Sequence, residues 1–73
     1  MSRYAIVVER GPSSFGAYVP DLPGCVAAAE SEDEVRQLIR EAIVIHIQGM
    51  VEDGEPVPPP ASTVEYAEVS IAS

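Results

Sequence analysis

The sequence predicts an α+β domain in which an antiparallel three-stranded meander is followed by one long helix packed on the sheet and by a fourth strand. Three observations carry this prediction. Pro23 and Gly24 separate two short runs of alternating apolar residues, as in a β-hairpin. A helix-capping sequence beginning at Ser31 opens a long stretch with helical spacing of apolar residues. A proline-rich segment then leads into another strand-like run, which makes the order βββαβ.

The first strand is predicted over residues 4–9. Tyr4, Ile6 and Val8 alternate there with Ala5 and Val7, so both faces of the strand are apolar. A strand that is apolar on both faces is typical of the middle of a sheet with cover on each side. We therefore expect a central strand, followed by a loop over residues 11–14.

The second and third strands flank a turn at Pro23 and Gly24. These residues suit the two central positions of a type II turn, because proline presets φ and glycine accepts a positive φ. On either side, apolar residues occupy every second position, which predicts two half-buried antiparallel strands. Phe15, Ala17 and Val19 alternate with Gly16 and Tyr18 before the turn. After it, Cys25, Ala27 and Ala29 alternate with Val26 and Ala28.

The helix is predicted from Ser31 to about Asp53, with Ser31 and Glu34 as a capping box and Gly54 as the C-terminal glycine. Its first half is amphipathic, but residues 42–51 are apolar nearly all the way round. One face of this second half can pack on the sheet while another needs cover. We therefore expect a homodimer or higher oligomer, and the interface residues predicted are Ile43, Ile45, Ile47, Met50 and Val51.

The segment 56–60 (PVPPP) can neither continue a helix nor join a sheet ladder, so it is predicted to form an extended polyproline connector. A ligand for an SH3-type domain is the alternative interpretation of such a segment. Residues 64–71 follow at once as the predicted fourth strand. Glu65 and Glu68 mark its solvent side and interrupt strict alternation, as a β-bulge would.

Composition limits the functional classes. A chain of 73 residues forms one small domain with a thin stability margin. Its single cysteine excludes a disulfide within the chain, and a single cysteine with a single histidine makes a stabilising metal site unavailable as well. The lone cysteine, the lack of a signal-peptide pattern and the short apolar runs indicate a soluble cytoplasmic protein without a membrane segment. Twelve acidic residues against four basic ones give a net charge of −8, which disfavours direct nucleic-acid binding and favours a basic partner. An acidic surface also serves solubility alone.

No catalytic residue, metal ligand or cofactor site is predicted. His46 lies on or beside the apolar stripe of the helix, where a packed or interface histidine is favoured over a ligand or general base. Cys25 is expected to be a buried small hydrophobe and not a reactive thiol. A Mg²⁺-dependent nuclease would need several carboxylates to converge, and the spacing of the candidates does not favour this. Those candidates are Glu9, Asp21, Glu30 and Glu52.

Three segments together resemble the HicB family of antitoxins: residues 15–25 (FGAYVPDLPGC), the helix start at 31–35 (SEDEV), and the segment 42–51 followed by 52–60 (EDGEPVPPP). The resemblance covers nearly the whole chain. It implies a truncated RNase H-like βββαβ fold. It also implies a partner, HicA, which is a small basic ribonuclease toxin whose active site the antitoxin masks. Many HicB proteins carry a C-terminal DNA-binding module. The expectation here is a single HicB-like domain over residues 1–73 without one, so that DNA binding would need another protein.

The first functional hypothesis is therefore a non-enzymatic antitoxin that occludes a HicA-like toxin. The residues predicted to contact the toxin are Tyr18, Asp21, Glu30, Glu32 and Asp33. The alternative is an orphan homo-oligomeric binding module that has kept the fold and lost its toxin. A metal-dependent nuclease ranks third.

Overall fold

The computed structural model describes residues 2–72 and contains three strands and one helix. The strands are β1 (Val7–Arg10), β2 (Phe15–Tyr18) and β3 (Val26–Ala29), and the helix α1 spans Glu32–Glu52. Both strand pairs are antiparallel and the sheet order is β1-β2-β3. The predicted meander followed by one long helix is confirmed.

The position of β1 differs from the prediction. It is an edge strand, and β2 is the central strand of the described sheet. The expectation that β1 is central was wrong. Apolar residues on both faces of a strand indicate only that the strand is covered above and below the plane of the sheet. They carry no information about which strands lie beside it.

The core lies between the sheet and α1. Among residues 2–72, six are buried, and nine further apolar side chains pack partly against them. β2 and β3 each turn one alternating set of side chains toward the core, as half-buried strands do, and α1 contributes two buried residues one helical turn apart. The buried residues are Ala17, Val19, Leu22, Cys25, Val35 and Ile39.

The turn between β2 and β3 forms as predicted. The Cys25 N–H donates to the Leu22 carbonyl over 3.1 Å, and Gly24 has φ 86°. A positive φ at the third residue of the turn, after a proline, is the type II geometry. The reversal brings Leu22, which is fully buried, under the helix.

Both ends of α1 are closed by local hydrogen bonds. The Glu34 N–H donates to Ser31 Oγ over 3.1 Å, and the Glu34 carboxylate accepts from the Glu30 N–H at 3.2 Å. The predicted capping box is therefore present, with its return bond one residue before the cap. At the other end, the Glu55 N–H donates to the Met50 carbonyl over 2.9 Å, and Gly54 adopts φ 71°. This is the Schellman arrangement.

The segment after the helix, residues 55–62, runs back across the turn end of the sheet and is called the strap below. It is held at two points. The Tyr4 hydroxyl donates to the Pro58 carbonyl over 2.6 Å. Asp21 accepts the N–H groups of Ala61 and Ser62, each over 2.9 Å.

Residues 63–72, called the tail below, form no strand in the structure, so the predicted fourth strand is absent from the described chain. Every tail residue is exposed, and Tyr66 keeps 94% of its surface in solvent. The apolar pattern of a strand is present, but a strand also needs a neighbour to receive its hydrogen bonds. The radius of gyration, 14.6 Å, exceeds the value of about 11 Å for a compact chain of this length.

Candidate protein-binding surface

The first surface feature is the group of acidic residues at the start of α1, called the acidic rim below: Glu30, Glu32, Asp33 and Glu34. All four are exposed. Arg36 lies 3.3 Å from the Glu32 carboxylate and 3.5 Å from that of Asp33. Exposed pairs of this kind stabilise a protein by about 1 kcal/mol or less. The rim therefore keeps a net negative charge that another protein can reach.

Asp21 does not belong to the rim. Its carboxylate accepts three hydrogen bonds, from the N–H groups of Ala61 and Ser62 and from the Ser62 hydroxyl at 2.8 Å. These bonds, led by that from the Ser62 N–H, hold the pKa of Asp21 below its ordinary value. The structure thus assigns Asp21 to fixing the strap. No sequence signal indicated this role, since the bonded residues lie 40 positions away.

Tyr18 lies on the sheet face opposite the helix, called the outer sheet face below. Its cross-strand neighbours are Val7 and Val26, and both Tyr18 and Val26 are exposed. Gly16 and Ala28 continue this face toward the helix start. Its end around Val7, Tyr18 and Val26 is apolar, of the kind that forms the centre of protein interfaces, while the exposed Glu9, which pairs with Gly16, places a carboxylate nearer the helix start.

The predicted contact residues therefore do not form one patch. Tyr18 and Asp21 lie at the turn end of the sheet, while β3 runs from that end to the acidic rim. The strand of four residues separates the two groups by about 10 Å. A partner that contacts both must extend along the sheet.

The second half of α1 has an apolar face that the described chain leaves uncovered. Val44, Ile45 and Val51 are exposed on it, whereas Ile43 and Ile47 pack against the core of their own domain. The predicted interface set is thus split between two faces of the helix. Met50 is partly buried and lines a groove of about 580 Å³ between the helix end, the turn and the strap.

The described residues offer little reactive chemistry. Cys25 is buried, and burial raises the pKa of its thiol. His46 is partly buried at the groove beside Met50. Within residues 2–72, no three His, Cys, Asp or Glu side chains come close enough together to hold a metal ion. Nor does the described chain contain a helix with the length and apolarity needed to cross a lipid bilayer.

Comparisons with known proteins agree with the architecture. Residues 4–70 match a family model described as "HicB_like antitoxin of bacterial toxin-antitoxin system". In a solved structure titled "HicA3 and HicB3 toxin-antitoxin complex", one chain is similar to this one with a TM-score of 0.70 and 30% identity. The match covers 81% of this chain and 70% of that one.

Two curated relatives are uncharacterised or named only by family. An "Uncharacterized 14.9 kDa protein in rep-hol intergenic region" of Haemophilus phage HP1 is 40% identical over 55 residues, covering 75% of this chain and 41% of the phage protein. A "UPF0150 protein" of Archaeoglobus fulgidus is 39% identical over 56 residues, covering 73% and 81%. The chain thus spans about two fifths of the phage relative. Because the family model matches nearly all of its length, the chain belongs to the HicB-like antitoxins of bacterial toxin-antitoxin systems.

Proposed function

We propose that this chain binds a small basic HicA-like ribonuclease and inhibits it by covering its active site. The observation that carries the proposal is the similarity to a chain from a complex titled as HicA3 with HicB3. On this proposal the protein is not an enzyme, acts in the cytoplasm and does not bind nucleic acid directly.

Charge supports the choice of partner. The acidic rim is exposed, and the chain carries a net charge of −8. A toxin that binds RNA needs a basic surface, and complementary charge speeds the encounter of two proteins in a salt-dependent manner. We assign Glu30, Glu32 and Asp33 to this electrostatic contact.

The outer sheet face supplies the apolar contact area that the acidic rim lacks. Stable interfaces need a well-packed apolar centre, and aromatic residues are favoured as anchors there. Tyr18 and Val26 are neighbours across two strands and are both exposed. We assign Tyr18 as the anchor, with the rim at one border of the interface.

The direct test is inhibition of RNA cleavage by a purified HicA-family ribonuclease. We expect cleavage to stop at one equivalent of this chain. We also expect an inactive variant of the toxin to bind more tightly at low salt than at high salt. Failure to bind any basic HicA-family protein, including one encoded beside this chain, would remove the proposal.

Matched variants locate the contact. Replacing Glu32 and Asp33 with glutamine and asparagine removes two charges from the rim. The control replaces Glu52 and Asp53 in the same way at the opposite end of α1. We expect the rim variant to slow association about tenfold or more at low salt and the control to have little effect. Equal effects would show that only net charge matters and would contradict the assignment of the rim.

The exposed apolar face of the second half of α1 favours a second candidate, the orphan homo-oligomeric module. This candidate predicts self-association without affinity for any HicA-like protein. Analytical ultracentrifugation of the chain alone and mixed with the toxin separates the two functions.

A further inference from the structure

We propose that the groove beside the second half of α1 is a docking site for a basic amphipathic helix of another protein. The groove is the depression of about 580 Å³ between the helix end, the turn and the strap. Its length, its apolar walls and the negative charge at one end support the proposal. The site is separate from the surfaces assigned to the toxin, so the inference goes beyond the proposed function.

A smaller cavity extends the groove along the helix. Its volume is about 220 Å³, and it lies between α1 and the start of β3. Ile45 and His46 line both cavities, which therefore form one continuous depression, called the long groove below. The helix residues along it recur at helical spacing and lie on one face. They are Ala42, Ile45, His46, Gly49, Met50 and Asp53. This stretch of α1 is about 16 Å long, the length of about three helical turns.

The walls of the long groove are apolar and accessible. Pro23 and Pro58 line it opposite the helix. On the helix, Ile45 keeps 68% of its surface in solvent. Gly49 has no side chain, and a Cβ added there would meet open space. A partner helix can therefore approach α1 closely at Gly49 and cover Ile45, as amphipathic helices do when they bind in grooves.

Negative charge lies at the strap end of the long groove. Asp53 and Glu55 line it there, and both are exposed. Acidic residues at a helix C-terminus are unfavourable, because that end of the helix dipole is already negative. The last turn of α1 contains no basic residue. Within residues 2–72, the ion pairs all involve Arg36, near the other end of the helix. A Lys or Arg side chain of a partner would compensate both the carboxylates and the dipole.

Charge and position distinguish this partner from the two other occupants. A second copy would bring a further net charge of −8, and like charges across an interface oppose association. On the proposed function, the toxin covers the outer sheet face and the acidic rim. The long groove lies on the helix side of the sheet, and its acidic end is about 30 Å from the rim along α1. A small protein on the outer sheet face therefore leaves the long groove open.

The first experiment titrates the full chain with a synthetic peptide of about 14 residues, which has leucines at helical spacing on one face and lysines along its borders. Calorimetry should give one peptide per chain and a dissociation constant of about 100 μM or tighter. The control peptide keeps the leucines and replaces each lysine with glutamate. We expect the control to bind about tenfold more weakly or not at all. Equal binding of both peptides, or no binding at about 1 mM, would overturn the proposal.

Variants of the chain locate the bound peptide. Gly49→Gln places a side chain in the long groove without crowding the helix, and it should weaken binding about tenfold. Asp53→Asn combined with Glu55→Gln should weaken binding about fivefold at low salt. The matched control, Glu32→Gln with Asp33→Asn, removes the same charge at the other end of α1 and should have little effect. Equal weakening by the two charge variants, or full binding to Gly49→Gln, would contradict the assignment of the site.

Amide chemical shifts of the isotope-labelled chain separate the remaining occupants. We expect the peptide to shift the amides of Ala42, Gly49 and Met50 and to leave those of Gly16 and Ala28 on the outer sheet face unchanged. The peptide should bind equally well to the chain saturated with an inactive HicA-family toxin. Competition with the toxin, or release of the peptide as the chain self-associates, would assign the long groove to one of those occupants and overturn the proposal. If the chain binds no toxin, the peptide experiments on the free chain still test it.

Discussion

Ile39 is buried and Ile45 is exposed on the same helix. The same substitution, Ile→Val, is therefore expected to reduce stability more at Ile39 than at Ile45. Ile39 is 0% exposed and Ile45 is 68% exposed, and the two lie six residues apart on α1. Ile→Val removes one methylene group and costs about 1 kcal/mol where the side chain is fully buried. At Ile45 about a third of the side chain is covered, so the expected cost is about 0.3 kcal/mol.

Urea unfolding followed by circular dichroism at 222 nm measures both values, because α1 provides most of the signal. With a slope of about 1 kcal/mol per molar urea for a domain of this size, Ile39→Val should lower the midpoint by about 1 M and Ile45→Val by about 0.3 M. Each urea midpoint is measured at 1 μM and again at 50 μM protein. Self-association at the higher concentration would stabilise the otherwise exposed face of α1. Equal losses at both positions at the lower concentration would refute the packing described here.

Four further outcomes are expected. Gly24→Ala should destabilise the domain by about 1 kcal/mol or more because Gly24 has φ 86°. Gly49→Ala should stabilise it by up to about 1 kcal/mol, since an added Cβ meets open space on the helix. Thermal unfolding measures both, and the same sign at the two positions would contradict the backbone geometry. Asp21 has a pKa below its ordinary value of 3.8, so its contribution to stability should be complete above pH 5 and be lost as the pH falls through the lowered pKa. Asp21→Asn should reduce this acid dependence in urea titrations from pH 2.5 to 6, and an unchanged profile would contradict the role of Asp21. Cys25 should react with a thiol reagent at pH 7.5 far more slowly in the folded protein than in urea, because burial protects the thiol and raises its pKa; equal rates would contradict its burial.

The features that the sequence predicted correctly are those that depend on near neighbours. The turn requires Pro23 and Gly24, and the helix start requires Ser31 and Glu34, and each pair acts within four residues. The alternation in β2 and β3 predicted half-buried strands correctly for the same reason.

The features that the sequence did not predict depend on distant partners. Alternation in residues 4–9 indicates which side chains face the core, but not whether β1 is internal or at an edge. Asp21 looked like a free turn carboxylate because its partners, Ala61 and Ser62, follow it by 40 and 41 positions. In the same way, the apolar residues of 42–51 could not be divided between core and solvent until the helix was placed on the sheet.

The bond from Tyr4 to Pro58 has a practical consequence for anyone labelling this protein. It brings the N-terminal residues and the end of the strap to the same corner, at the opposite end of the sheet from the start of α1. A fluorophore or affinity tag fused ahead of Tyr4 would crowd the start of the tail and leave Glu30 and Glu32 accessible. An attachment point on the 11–14 loop would instead crowd Glu30 and Glu32 and leave the tail accessible.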